Sequence, residues 1–245
     1  MRNLKLVVEY DGAGYHGWQR QRDLTTVQQV LEDVVFRITG ERVVISASGR
    51  TDAGVHALKQ TVHFKTGSGI KAPNLQAGIN SLLPHDIVVK ELHEVAESFH
   101  ARFDVKSKVY MYQIYNCPTR SAIHRNYAWH VRTPLDLIEM EKGLGLIKGR
   151  HDFTVFCGKK ETGYNCIRTI TDGRLEKRSF GLIRIYLEAD GFLRYMVRSV
   201  VGTLVEVGRG KRTAEELAEV LRAKEREGAG VTAPPQGLFL VEVKY

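Results

Sequence analysis

The feature that most constrains this chain is an order of secondary-structure elements that is written twice. Residues 4–10 are short, apolar-rich and end in Asp11-Gly12, a strand running into a turn. Val27, Val30, Leu31, Val34 and Ile38 then recur at helical spacing. Thr25 with Gln28 supplies a capping box at the helix start, and Gly40 marks its stop. Residues 42–48 are β-rich, and residues 61–65 alternate Val62 and Phe64 with polar neighbours. Pro73 opens a second helix with Leu75, Ile79 and Leu82 on one face, and Pro84 closes it. Residues 87–92 read as another strand. The first half is β-α-β-β-α-β.

The second half repeats that order. Residues 105–116 read as a strand, with Val109, Met111, Gln113 and Tyr115 on one side and Tyr110, Tyr112 and Ile114 on the other. Thr133-Pro134 is placed to cap a helix carrying Leu137, Met140, Leu144 and Ile147. Residues 166–178 and 182–189 form a hairpin pattern, and Val197, Val200, Val201 and Leu204 give the next helix its buried stripe. An additional amphipathic helix begins at Thr213, boxed by Glu216, and residues 237–245 close the chain as a strand. Two successive βαββαβ patterns predict an α+β protein of two ferredoxin-like halves, residues 1–103 and 104–245. Helices are expected on one face of each sheet. Such sheets can bind single-stranded RNA on their open face, although the fold alone does not decide a function.

Composition narrows the partners. Thirty-six Lys+Arg against 28 Asp+Glu leave a net charge of +8, which points toward a polyanion such as nucleic acid. At 245 residues and 43% hydrophobic, the chain can bury a sizeable core, so disorder is not its main state. Cys117, Cys157 and Cys166 are odd in number and lack zinc-ligand spacing, and the nine histidines are scattered. We therefore expect no metal. No apolar run approaches the ~18 residues needed to span a membrane. Met1-Arg2-Asn3-Leu4-Lys5 leads into the first strand without an apolar targeting core, so a reducing cytoplasm is the expected compartment.

Gly12-Ala13-Gly14-Tyr15-His16-Gly17 matches the G-x-G-x-x-G dinucleotide fingerprint and follows a strand. The context then fails. Trp18-Gln19-Arg20-Gln21-Arg22 intervenes before the helix, and Glu32 and Asp33 fall inside that helix, away from any strand end that holds a ribose. No nucleotide cofactor is expected.

The densest polar cluster is Ser48-Gly49-Arg50-Thr51-Asp52-Ala53-Gly54-Val55-His56, between two strands. An Asx-type turn would account for Asp52 by local hydrogen bonds alone. An ionised Asp held by an Arg is also a competent nucleophile or base. Here the chain resembles the tRNA pseudouridine synthase A family. The octapeptide Gly49-Arg50-Thr51-Asp52-Ala53-Gly54-Val55-His56 looks like that family's signature loop. Glu9-Tyr10-Asp11-Gly12, Gly17-Trp18-Gln19-Arg20-Gln21, Ser98-Phe99-His100-Ala101-Arg102-Phe103, Tyr110-Met111-Tyr112, Met196-Val197-Arg198 and Gly237-Leu238-Phe239-Leu240 match in order. The resemblance spans essentially the whole chain.

The resemblance implies the pseudouridine synthase fold, with a central mixed or antiparallel sheet and a cleft between the halves. It makes Asp52 the catalytic nucleophile, with Arg50 gripping the RNA backbone around it. Tyr110 corresponds to a tyrosine that stacks on the uracil, Arg198 to an arginine that pairs with the catalytic Asp, and Leu238 to an apolar pocket wall. His56 reads as structural. Ser199 stands where many members have Asn, and Met111 where a basic residue is common. The implied reaction converts uridine to pseudouridine at nucleotides 38, 39 and 40 of the tRNA anticodon stem-loop, by a homodimer without cofactor. Arg20, Arg22, Lys106, Lys108, Arg120, Arg125, Lys159, Lys160 and Arg168, interleaved with Tyr15, Trp18, Tyr127 and Trp129, suit phosphate contacts and base stacking. The rival reading is a non-catalytic RNA-binding protein built from the same halves. The two part at Asp52, since a carboxylate in a basic cleft repels phosphate.

Overall fold

A computed structural model describes residues 1–158, 165–223 and 228–245. Lys159 and Lys160 lie outside the described residues. The chain divides into two compact units, Met1–Lys106 with Phe239–Tyr245, and Ser107–Leu238.

In the first unit the order is β1 (Arg2–Tyr10), α1 (Val27–Thr39), β2 (Ser46–Ala47), β3 (His56–Thr66), α2 (Ala72–Leu82) and β4 (Ile87–Val95). β1 lies between β3 and β4, antiparallel to both, with Leu6 opposite Val62 on one side and Leu92 on the other. β2 is antiparallel to β3, which completes the ferredoxin-like order β4-β1-β3-β2. Alternation decides which face is dry: Leu4, Leu6, Val8 and Tyr10 of β1 are buried. Val27, Leu31 and Val35 of α1 and Leu75 and Ile79 of α2 are also buried. Each such aliphatic side chain contributes about 1.5–3 kcal/mol on burial.

The helix ends show where local reading was off by a residue. The N-cap of α1 is Thr26, whose hydroxyl accepts from Gln29 N–H, one position later than the Thr25–Gln28 box. Gln28 is drawn inward instead, where its amide donates to the Glu32 carboxylate at 2.8 Å and to the Ile45 carbonyl at 3.2 Å. Gly40 does end the helix, in the left-handed conformation at φ 74°. The β-rich stretch 42–48 yields only the two residues of β2.

The second unit holds β5 (Ser107–Asn116), β6 (Trp129–Val131), α3 (Leu137–Leu146), β7 (Gly149–Asp152), β8 (Ile167–Lys177), β9 (Leu182–Ala189), α4 (Met196–Gly208) and α5 (Ala214–Ala223). β5, β9, β8 and β7 pair antiparallel in that order, and β6 runs parallel to β5. The hairpin of β8 and β9 falls where alternation placed it. Ile183, Ile185 and Leu187 are buried, as are Leu204 of α4 and Leu144 of α3. α3 is capped by Asp136, which accepts from Ile138 and Glu139 N–H, rather than by Thr133-Pro134. A carboxylate two residues before the first free N–H groups outcompetes the hydroxyl further back. The box at α5 is complete: Glu216 accepts from Thr213 N–H at 2.7 Å, and Thr213 accepts from Glu216 N–H at 3.1 Å.

The last strand, β10 (Leu238–Lys244), does not follow the linear division at residue 103. It pairs in parallel with β3, Phe239 opposite His56 and Leu240 opposite Ala57. β10 covers the start of the β3 edge and β2 its later half. Among the described residues the architecture is thus ten strands and five α-helices, the expected α+β class.

Candidate active site

Residues 48–55 leave β2 and enter β3 as a loop fastened at several positions. Ser48 N–H donates to the Thr61 carbonyl at 2.9 Å, and its hydroxyl donates to buried Gln60 at 2.6 Å. Gln60 in turn donates to the Gly49 carbonyl at 2.9 Å. Thr51 meets the Tyr10 hydroxyl at 2.8 Å and accepts Trp18 N–H on its carbonyl at 3.1 Å. Val55 N–H closes a turn onto the Asp52 carbonyl at 3.2 Å, and Gly54 takes φ 76°. Between these anchors Arg50 is exposed and Asp52 half-buried. Burial pushes the Tyr10 phenol up to about 12, against hydrogen bonds with Thr51 and Gln60 that lower it.

The glycine-rich turn that mimics a dinucleotide fingerprint lies against this loop. A Cβ on Gly12 would sit 2.0 Å from the Val55 carbonyl oxygen. One on Gly17, at φ 87°, would sit 2.6 Å from the Thr51 carbonyl oxygen. These glycines exist for close backbone approach, a role that only the distant residues 51–55 reveal. Behind them His56 is 2% exposed, with Nδ1 3.1 Å from Gly12 N and 3.0 Å from the Asp11 carboxylate. Its ring stacks on Phe239 at 4.6 Å, so it fastens the loop base as a structural residue.

The other predicted residues belong to the second unit. Tyr110, on β5, is buried edge-on against Phe192 at 5.1 Å. Two residues on and on the same face, Tyr112 donates its hydroxyl to the Pro234 carbonyl at 2.7 Å. Burial drives the Tyr112 phenol pKa far up, and the Arg198 charge acts in the opposite sense. Arg198, on α4, donates Nε to the Ala233 carbonyl at 2.7 Å, and its guanidinium lies 5.1 Å from the Tyr195 ring centre. Leu238 is buried and follows Gly237, where a Cβ would lie 2.7 Å from the Tyr112 ring. Residues 233–238 therefore connect Arg198, Tyr112 and Leu238. Arg50 and Asp52 share one loop of the first unit. The sequence places Tyr112 on β5 two residues after Tyr110, and the structure adds its hydroxyl bond to the Pro234 carbonyl.

Two of the expected stacking residues are corrected. Trp18 is 1% exposed and Tyr15 is buried with its hydroxyl donating to Asp86 at 2.6 Å, so both are core residues of the first unit. The Tyr10–Trp18 ring contact at 6.1 Å explains why Trp18 turns inward. Tyr127 is exposed and Trp129 half-buried. Arg20 is engaged by Glu32 at 3.2 Å and Asp33 at 3.0 Å, while Arg120 and Arg125 are exposed. Among the described residues, no group of three or more His, Cys, Asp or Glu side chains is arranged to hold a metal ion. Nor is any helix among them long and apolar enough to cross a membrane.

Comparison with known proteins covers nearly the same ground as these motifs. A family model described as tRNA pseudouridine synthase matches residues 6–104 and 146–245. A tRNA pseudouridine synthase A of Thermoanaerobacter sp. strain X514 is 46% identical over 245 residues, all of both chains. Proteins of the same name from Acetivibrio thermocellus and Brevibacillus brevis are 44% and 45% identical, again over the full length of both chains.

Proposed function

The chain belongs to the tRNA pseudouridine synthase family, and on that footing we propose that Asp52 is the nucleophile with which it isomerises uridine in tRNA. The observation that carries this reading is the fastening of residues 48–55. Ser48, Thr51 and Val55 are buried and hydrogen-bonded, so the loop presents its carboxylate from a rigid frame. A simple Asx turn needs no such frame.

The reaction breaks the N-glycosidic bond, turns the uracil and joins its C5 to the ribose C1′; the C5 proton leaves and N1 gains one. Nothing is oxidised or reduced. The target base must leave its stack at a cost of about a few kcal/mol, which stacking and backbone contacts offset. Tyr110 supplies that stacking surface, Leu238 an apolar wall and Arg50 a grip on the RNA backbone, and the resemblance makes Arg198 the family's active-site arginine. Nucleotides 38, 39 and 40 of the anticodon stem-loop are the proposed targets, the working assembly is a homodimer, and the compartment is the cytoplasm. The family resemblance supports the first two assignments, and the cysteine usage supports the third.

Asp52→Asn tests the central claim, because Asn keeps the size and turn chemistry of Asp but is no carboxylate nucleophile. The variant is expected to keep its Tm and its tRNA affinity, with unchanged salt dependence since no cation is lost. Tritium release from C5-labelled uridine in tRNA is expected to fall to background. Turnover within about tenfold of wild type, a barrier change of only about 1.4 kcal/mol, would be too small for a missing nucleophile. Lost binding together with a lowered Tm would return Asp52 to a turn role.

A further inference from the structure

A second set of charged residues lies within the second unit, and the proposed reaction does not use it. Glu206, near the end of α4, pairs with Arg212 at 2.6 Å, and both side chains are largely buried, with 16% and 21% exposure. The two residues grip one strap of chain. Arg212 donates to the Gly228 carbonyl at 2.8 Å, and Glu206 accepts Val231 N–H at 3.3 Å. Between them, Gly230 N–H donates to the hydroxyl of fully buried Thr203 at 3.0 Å.

The strap lies against the helix backbone itself. A Cβ on Gly202 would stand 1.6 Å from the Val231 carbonyl oxygen, so only glycine allows this approach. Two and three residues further on, the same strap receives the functional side chains. Ala233 N–H donates to the Arg198 carbonyl at 3.0 Å, while its own carbonyl accepts Arg198 Nε at 2.7 Å. The Pro234 carbonyl accepts the Tyr112 hydroxyl at 2.7 Å.

We infer that Glu206 and Arg212 form a clasp that positions Arg198 for the reaction by fixing the strap of residues 228–234 on α4. The clasp acts through backbone carbonyls: it sets where Ala233 O stands, and that oxygen sets the guanidinium. Arg198 and Glu206 are eight residues apart on one helix, so the strap spans two helical turns with one end locked and the other holding the working side chain. Glu206 and Arg212 are positioning residues. The inference rests on the reading of Arg198 as a residue of the substrate site.

The test is a double-mutant cycle in single-turnover assays of tRNA pseudouridylation, using Glu206→Ala, Arg198→Met and the pair. Glu206→Ala is expected to lower the single-turnover rate at saturating tRNA by at least about tenfold, because misplacement near 1 Å can cost about 10²-fold. Its tRNA Kd should stay within about twofold of wild type. In the Arg198→Met background the same substitution should cost no further rate. Independently of activity, the ¹⁵Nε–H resonance of Arg198 should lose its protection from solvent exchange in Glu206→Ala. Glu206→Gln, which keeps an oxygen for Val231 N–H, serves if the Ala variant does not fold, and should reproduce the loss in part. An equal rate loss in both backgrounds, or unchanged Nε–H protection, would make the clasp a stability element and overturn the inference. A wild-type rate for Arg198→Met would instead refute the role of Arg198, whereas a damaged Arg198→Met beside a fully active Glu206→Ala would refute the clasp alone.

Discussion

Gly17→Ala isolates the claim that a close backbone approach holds the Asp52 loop. At φ 87° an alanine meets the left-handed penalty of about 1–2 kcal/mol. Its Cβ would also stand 2.6 Å from the Thr51 carbonyl oxygen and 3.1 Å from both Ala53 N and the Asp52 carbonyl carbon. These are backbone atoms that cannot rotate away. Ordinary contact begins at 3.4 Å, so Thr51 must retreat by the difference from 2.6 Å, about 0.8 Å, and carry Asp52 with it. Overpacking adds about 1–3 kcal/mol, which brings the total to about 3 kcal/mol and the fall in Tm to roughly 6–12 °C. A shift of that size at a nucleophile should lower turnover by about 10²-fold. Gly40→Ala is the control: its φ is 74°, but nothing lies within 4 Å of the added Cβ. It should lose only about 1 kcal/mol, roughly 2–4 °C, with full activity. Differential scanning calorimetry and tritium release on the two variants make the comparison. The reasoning fails if Gly17→Ala matches Gly40→Ala in Tm and keeps turnover within about threefold of wild type.

Alkaline stability reports on Tyr10. Its phenol is held near 12 in the folded protein against 10.0 unfolded, so the neutral form adds about 3 kcal/mol, present in full below pH 10 and lost as pH rises toward 12. Tyr10→Phe should flatten the urea-unfolding profile across that window and cost about 1 kcal/mol at neutral pH through the lost Thr51 bond; an unchanged alkaline slope would assign the titration elsewhere. Arg198→Met should lower turnover far more than tRNA affinity, and should cost about 1–3 kcal/mol because the buried Ala233 carbonyl loses its Nε donor. Equal losses in filter binding and turnover would mark Arg198 as a phosphate contact.

The parts of the fold legible in the sequence are those that one strand or helix decides for itself. The apolar-rich run of residues 4–10 ending in Asp11-Gly12 announces β1, Gly40 stops α1, and Thr213 with Glu216 boxes α5. Each rests on contacts within about four residues. Misreadings occur where a distant group competes. Thr26 caps α1 because Gln28, which a local rule assigns to the box, is taken by Glu32 and Ile45. Trp18 looks like a stacking residue until Tyr10 and the loop at Thr51 draw it into the core. β10 reads as a closing strand from its own residues, but its pairing with β3 is set by topology, which no local string carries.

The candidate site divides along the same line. Asp52, Tyr110 and Arg198 were nameable because their motifs are local strings; the groups that hold them were not, because those are backbone atoms, which carry no residue signature. Thr51 O meets Trp18 N–H, Ala233 O meets Arg198 and Pro234 O meets Tyr112. A carbonyl fixed by its own chain cannot rotate away as a side-chain acceptor can, so it holds a functional group in one position at little entropic cost. The sequence marks such contacts only indirectly, by a glycine where a Cβ would collide. Gly12, Gly17, Gly202 and Gly237 are four such marks: a Cβ on each would stand within 3.0 Å of backbone or ring atoms, and each lies beside a segment that carries or holds a predicted site residue. Gly40 and Gly210, at which an added Cβ would meet nothing, hold no such segment. Gly12 and Gly17 are thus marked by what they face, and the string that mimics a cofactor fingerprint becomes intelligible as half of the frame around Asp52.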